Sequence, residues 1–92
     1  MDQKENTLVR QLSGKTALVY QKVGTEAVCE ACAEYPTAYS VIVLLLEEGA
    51  VSGSRILYDV TREEARCMEI MRELCECEAT PDNAARALEA AL

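Results

Sequence analysis

Histidine, phenylalanine and tryptophan are missing from this 92-residue chain, and tyrosine occurs only four times. Without histidine no Ser/His or Cys/His dyad can form, which leaves only cysteine, lysine and carboxylate chemistry open. Without Phe or Trp the core has to be aliphatic. There is no long hydrophobic run either. The longest, residues 41–46 (VIVLLL), is far short of the roughly 20 residues that cross a bilayer. The first twelve residues, MDQKENTLVRQL, hold no apolar signal-peptide core. Neither export nor a membrane location is therefore expected, and a cytoplasmic chain keeps its thiols reduced. Its five cysteines are an odd number, which argues against a closed disulfide framework. Basic residues number nine and are scattered. No Lys/Arg cluster is available to displace phosphate counterions, so nucleic acid is not an expected partner.

What is present describes one small domain. Sixteen acidic residues bring the net charge to −7, which serves solubility or suits a basic partner surface. A chain of this length buries only about 60–65% of its unfolded surface, so its core is thin. Residues 1–14 are polar, end in Ser13-Gly14 and read as a mobile arm, with residues 15–92 as a single α+β domain. Leu8, Val9 and Leu12 could make one amphipathic turn within that arm. Residues 16–23, TALVYQKV, are rich in β-branched and aromatic residues and read as a strand. Residues 25–35, TEAVCEACAEY, fit both periods. As a helix they gather Glu26, Glu30 and Glu34 in one wedge; as a strand they put Ala27, Cys29, Ala31, Ala33 and Tyr35 on one face.

Residues 39–47, YSVIVLLLE, form the clearest strand. Its apolar run is continuous instead of alternating, the mark of a strand covered on both faces. Residues 48–54, EGAVSGS, read as a Gly-rich loop, followed by a strand over 55–60 (RILYDV) that makes an antiparallel hairpin with its predecessor. In that strand Ile56, Tyr58 and Val60 should point one way and Arg55, Leu57 and Asp59 the other. Thr61 with Glu64 has the spacing of a capping box that opens a long helix to about Glu78. Thr80 is a candidate N-cap for a second helix running to the C-terminus, with Pro81 in its first position and Asp82 facing the dipole.

The stretch CEAC, with Cys29 and Cys32, invites a metal or redox reading, and Cys67, Cys75 and Cys77 follow. On a helical wheel at about 100° per residue, the three later cysteines share a half-circle with Met68, Ile70, Met71 and Leu74. Arg66, Glu69, Arg72, Glu73 and Glu76 take the other half. Free cysteine packs as a small hydrophobe, so these thiols are expected at the core or its edge. Cys75 and Cys77, two apart on a helix, diverge by about 160° and cannot chelate one ion. A zinc site or redox centre built from Cys29, Cys32, Cys67 and Cys75 is the alternative, because four thiolates can converge on one zinc. A redox pair would want Cys-x-x-Cys at a helix N-terminus beside a cation, and no cation is close in sequence.

Other motifs carry little chemistry. GAVSGS lacks the Gly-Lys-Ser/Thr of a phosphate loop and precedes a strand instead of a helix. Glu47 and Glu48 are adjacent on a strand and so point to opposite faces. No catalytic, cofactor-binding or metal residue is assigned, no cofactor is implied, and no enzymatic activity is expected.

Three short features of the last fifty-odd residues support a resemblance. They are Tyr39-Ser40-Val41-Ile42-Val43, Asp59-Val60-Thr61 opening a helix, and Thr80-Pro81 opening a final helix that ends on aliphatics. They resemble a family of short uncharacterised bacterial proteins, a domain of unknown function with a Tyr-Gly-Ile strand. Ser40 stands where that family has Gly, and the final helix is richer in alanine. The resemblance implies the order of elements and no activity.

These readings combine into an α+β fold: an antiparallel sheet of three to four strands packed against two C-terminal helices. The expected role is a small non-enzymatic interaction or regulatory module. It would act as a homodimer, or with a protein partner, through apolar sheet or helix surface. The question posed by VIVLLL is what covers its second face: the second helix, the N-terminal arm or another chain.

Overall fold

The computed structural model of the chain describes residues 6–26 and 37–92. Within them lie four strands, β1 (Thr7–Gln11), β2 (Thr16–Glu26), β3 (Thr37–Glu47) and β4 (Ala50–Thr61), then two helices, α1 (Glu64–Glu76) and α2 (Ala84–Ala91). The strands form one antiparallel sheet in the order β1-β2-β3-β4. The α+β class and the pairing of four strands with two C-terminal helices agree with the sequence. Thr25 and Glu26, at the start of the ambiguous stretch, continue β2; residues 27–36 lie outside the described residues.

Four local expectations are corrected. First, residues 7–11 are not an arm outside the domain. They pair with β2 from Thr7↔Gln21 to Gln11↔Ala17, because alternation turns Leu8 onto the core and Val9 away from it. Second, the 48–54 segment is no loop. Glu48 (φ 55°) and Gly49 (φ 81°) alone make the turn, two successive positive φ values that match the right-handed twist of a two-residue hairpin. Ser52, Gly53 and Ser54 are already in β4. Gly53 faces Pro81: a Cβ at this position would sit 3.6 Å from the ring, an ordinary packing distance.

Third, β4 does not alternate to its end. Between Tyr39↔Thr61 and Val41↔Leu57 the register shifts, with Asp59 in the left-handed region at φ 48°. The bulge is fastened by the Asp59 amide donating to the Ser40 hydroxyl at 2.9 Å. It changes the phase of the strand, so both Leu57 and Val60 reach the core while Ile56 and Tyr58 stay out. Fourth, Thr61 belongs to β4 and α1 begins three residues later with no side-chain cap. The Thr61 hydroxyl takes the amide of Glu63, not of Glu64, at 3.2 Å.

The second helix is likewise preceded by a turn. Its expected cap survives one turn early as a reciprocal pair: the Thr80 amide donates to Asn83 Oδ1 at 2.8 Å, and the Asn83 amide points at the Thr80 hydroxyl at 3.4 Å. α2 itself starts at Ala84. Arg66 of α1 donates to the carbonyl of Ala91, so it holds the far end of α2.

Both helices lie on the same side of the sheet. Cys67, Ile70, Met71 and Leu74 of α1 are fully buried against Leu18, Tyr20, Val41 and Val43. Ala84 joins the same core, with Ala85, Ala87 and Leu88 of α2 packed on it. The helix stripe is the period-3.6 face read from the sequence, and the strand residues are every second residue of β2 and β3.

Candidate interaction surface

The thiols come first because they are the chemically conspicuous residues. Cys67 is buried in the core, Cys75 lies at its edge and Cys77 is exposed. The wheel expects Cys77 at the core edge. The helix ends at Glu76, however, and as C-cap residue Cys77 leaves the helical path. Burial first of all pushes the Cys67 thiol above the ordinary range; Glu64 adds to this and Lys22 opposes it. A thiol held protonated is neither a nucleophile nor a ready metal ligand. Among the described residues no three Cys, Asp or Glu side chains gather where an ion could sit. Cys29 and Cys32, the other half of the four-thiol set, lie outside the described residues.

A shallow depression of about 250 Å³ opens beside Cys77, lined by Ala79, Asn83, Arg86, Ala87 and Ala90. It falls below the roughly 300 Å³ at which small-molecule sites begin. The polar groups buried near it are already paired. The Tyr20 hydroxyl donates to the Ala79 carbonyl at 2.8 Å, and burial, more than any neighbouring charge, raises its pKa. It serves as a strut between β2 and the helix connection, not as an acid.

The sheet distributes its charges unusually. Two cross-strand rows on the helix side are Leu8–Tyr20–Val43–Arg55 and Arg10–Leu18–Leu45–Gly53, and a third, shorter one is Lys22–Val41–Leu57. All three charged residues of these rows, Arg10, Lys22 and Arg55, therefore point to the helix side. Two of them meet carboxylates there. Arg10 grips Glu78 Oε2 through Nε (3.1 Å) and Nη2 (3.0 Å). The Lys22 ammonium, 5% exposed, bonds to Glu64 of α1. It also lies 5.8 Å from the centre of the Tyr39 ring, a cation–π distance.

The opposite face has three full rows: Thr7–Gln21–Ile42–Ile56, Val9–Val19–Leu44–Ser54 and Gln11–Ala17–Leu46–Val51. Eight of these twelve residues are apolar and none is charged, in a chain that is 27% charged. None of the eight belongs to the core or packs against it. Val9 and Val51 are each 59% exposed, Ile56 41%, and Tyr58 beyond the rows 73%. An antiparallel sheet that keeps one face in water alternates apolar-in with polar-out. Here charge sits on the covered side and hydrocarbon on the open one.

This answers part of the question posed by VIVLLL. The second helix does not cover the open face, since α2 packs on the same core as α1. The described part of the N-terminal segment does not cover it either, since it widens the sheet as β1. The run is continuous because Val41, Val43 and Leu45 serve the core and Ile42, Leu44 and Leu46 line the open face. No helix among the described residues is long and apolar enough to cross a membrane. No family model matches this chain, and neither does any curated protein or solved structure.

Proposed function

We propose that this chain is a non-enzymatic protein-interaction module whose working surface is the open face of its sheet. One observation carries the reading: three cross-strand rows without a single charge, on a face that no described element covers, in a protein of net charge −7. Contiguous apolar patches of several hundred Å² on a soluble chain mark binding surfaces. The buried thiol of Cys67 and the paired lysine and arginine on the helix side support the same reading, because they tie the reactive groups there into structure.

A photo-crosslinking side chain placed at Leu44, in the middle of the open face, tests this inside the cell that makes the protein. The control position is Glu73, on the exposed side of α1. Discrete protein adducts at position 44 and none at 73 are expected. Absence of adducts at 44, or the same adducts at both positions, would remove the reason for calling this face the working surface.

A further inference from the structure

Resting on the interaction reading, we infer that the partner on the open face is a second copy of this chain, packed sheet on sheet about a twofold axis. The charge distribution selects this occupant. The solvent side of α1 is densely charged, with Glu69, Arg72, Glu73 and Glu76 exposed and Arg66 paired to Glu69, and two copies meeting there would have to desolvate those charges. The rows of the open face bring no like charges together, so two chains of net charge −7 approach there without that penalty. A basic partner would be drawn to carboxylates, and the rows of this face present none.

The polar residues of the face suit a copy of themselves. Thr7, Gln21 and Ser54 carry hydroxyl or amide groups that both donate and accept. In a twofold interface the same patch meets itself, so groups of this kind can be matched by the identical set. The area is sufficient. Strands of 5, 11, 11 and 12 residues, about 4.8 Å apart, give the whole sheet a plane on the order of 600 Å² per copy. Two such faces exceed the roughly 1,000 Å² total that a specific interface needs. Pairing by the β4 edge is less suited, because β4 departs from regular register at two places, between Tyr39 and Val41 and between Leu45 and Leu46 of its neighbour. Bulges of this kind spoil an edge as a template for a further strand. Face packing would set the sheets about 10 Å apart with strands inclined by about 30°, and Ile42 and Leu44 of each copy would interdigitate at the centre.

Sedimentation equilibrium of the full chain at low micromolar concentration tests the inference. A mass twice the 10.1 kDa of one chain is expected. Leu44→Lys and Leu44→Glu, measured singly, should each sediment as one chain with the circular dichroism of the wild type. Facing like charges in an apolar interface should weaken association by about 100-fold or more. An equimolar mixture of the two variants should recover the two-chain mass, which separates loss of the interface from loss of the fold. A single-chain wild type, or Leu44 variants that stay dimeric, overturns the second copy as occupant. If the wild type is a single chain while position 44 still crosslinks to a different protein, the interaction reading survives without this inference. If neither is seen, both fall.

Discussion

Cys67 illustrates what a single residue reveals here. Its place on the helical wheel, among Met68, Ile70, Met71 and Leu74, already puts it inside, and its side chain is fully buried. Burial raises its pKa, so the native thiol keeps its proton to a higher pH than the unfolded one. The corresponding stability is intact below the ordinary thiol pKa of about 8.5 and is lost as the pH climbs from there toward the native value. Cys67→Ala removes one buried heavy atom and should cost about 1 kcal/mol at neutral pH. Urea unfolding at neutral and at alkaline pH should show the gap between wild type and Cys67→Ala narrowing as the pH rises. A gap that does not change would mean that the thiol is not sealed in the core. Cys77 is the counterexample on the same stretch. The wheel assumes a helix that continues, and where the helix stops is set by a capping turn that no wheel contains.

That stop is an event at the scale of an element. After α1 the Glu78 amide donates to the Cys75 carbonyl at 3.1 Å and the Ala79 amide to the Leu74 carbonyl at 3.0 Å. This is the Schellman arrangement, with buried Leu74 and Ala79 as its hydrophobic contact. The left-handed residue is Glu78, at φ 57°, where glycine is the usual choice. A non-glycine residue costs about 1–2 kcal/mol in that region. The exposed ion pair with Arg10 returns at most about 1 kcal/mol. Glu78→Gly should therefore raise the unfolding free energy only slightly, by about 0.3 kcal/mol, after allowance for the extra unfolded-state entropy of glycine. Glu78→Ala, which loses the ion pair and keeps the strain, should fall below the wild type in the same urea titration. A glycine variant less stable than the alanine one would contradict this cap geometry.

Elements were legible in the sequence where one side chain pattern decided them. β2, β3 and α1 follow from periodicity and composition. β1 escaped because five residues of a polar segment carry too few apolar positions to declare alternation; it becomes a strand only because β2 offers an edge to pair with. The start of β4 escaped because Ser52, Gly53 and Ser54 have loop composition, yet Gly53 and Ser54 pair with Leu45 and Leu44 of β3. The bulge at Asp59 left no sequence signal distinct enough to predict the change of phase that buries Val60.

At the scale of the whole molecule, the fold is a two-layer α+β unit whose second sheet face has no layer upon it among the described residues. The unbroken apolar run of β3 announced that both faces should be dry, and the structure identifies which residues serve each. What could not be read from the sequence is the direction of the charges. Only the register shows that Arg10, Lys22 and Arg55 all turn to the helix side and that the opposite rows carry none. Among the described residues no layer covers that face, and a second copy of the same face would supply one. The most direct test is an isotope-filtered NOE measurement on a mixture of carbon-13-labelled and unlabelled chains, which reports only contacts between copies. The account predicts intermolecular signals at the methyl groups of Ile42, Leu44 and Ile56. Intermolecular signals confined to the helix side, for example at Leu92, or none at any concentration where the protein stays soluble, would contradict it.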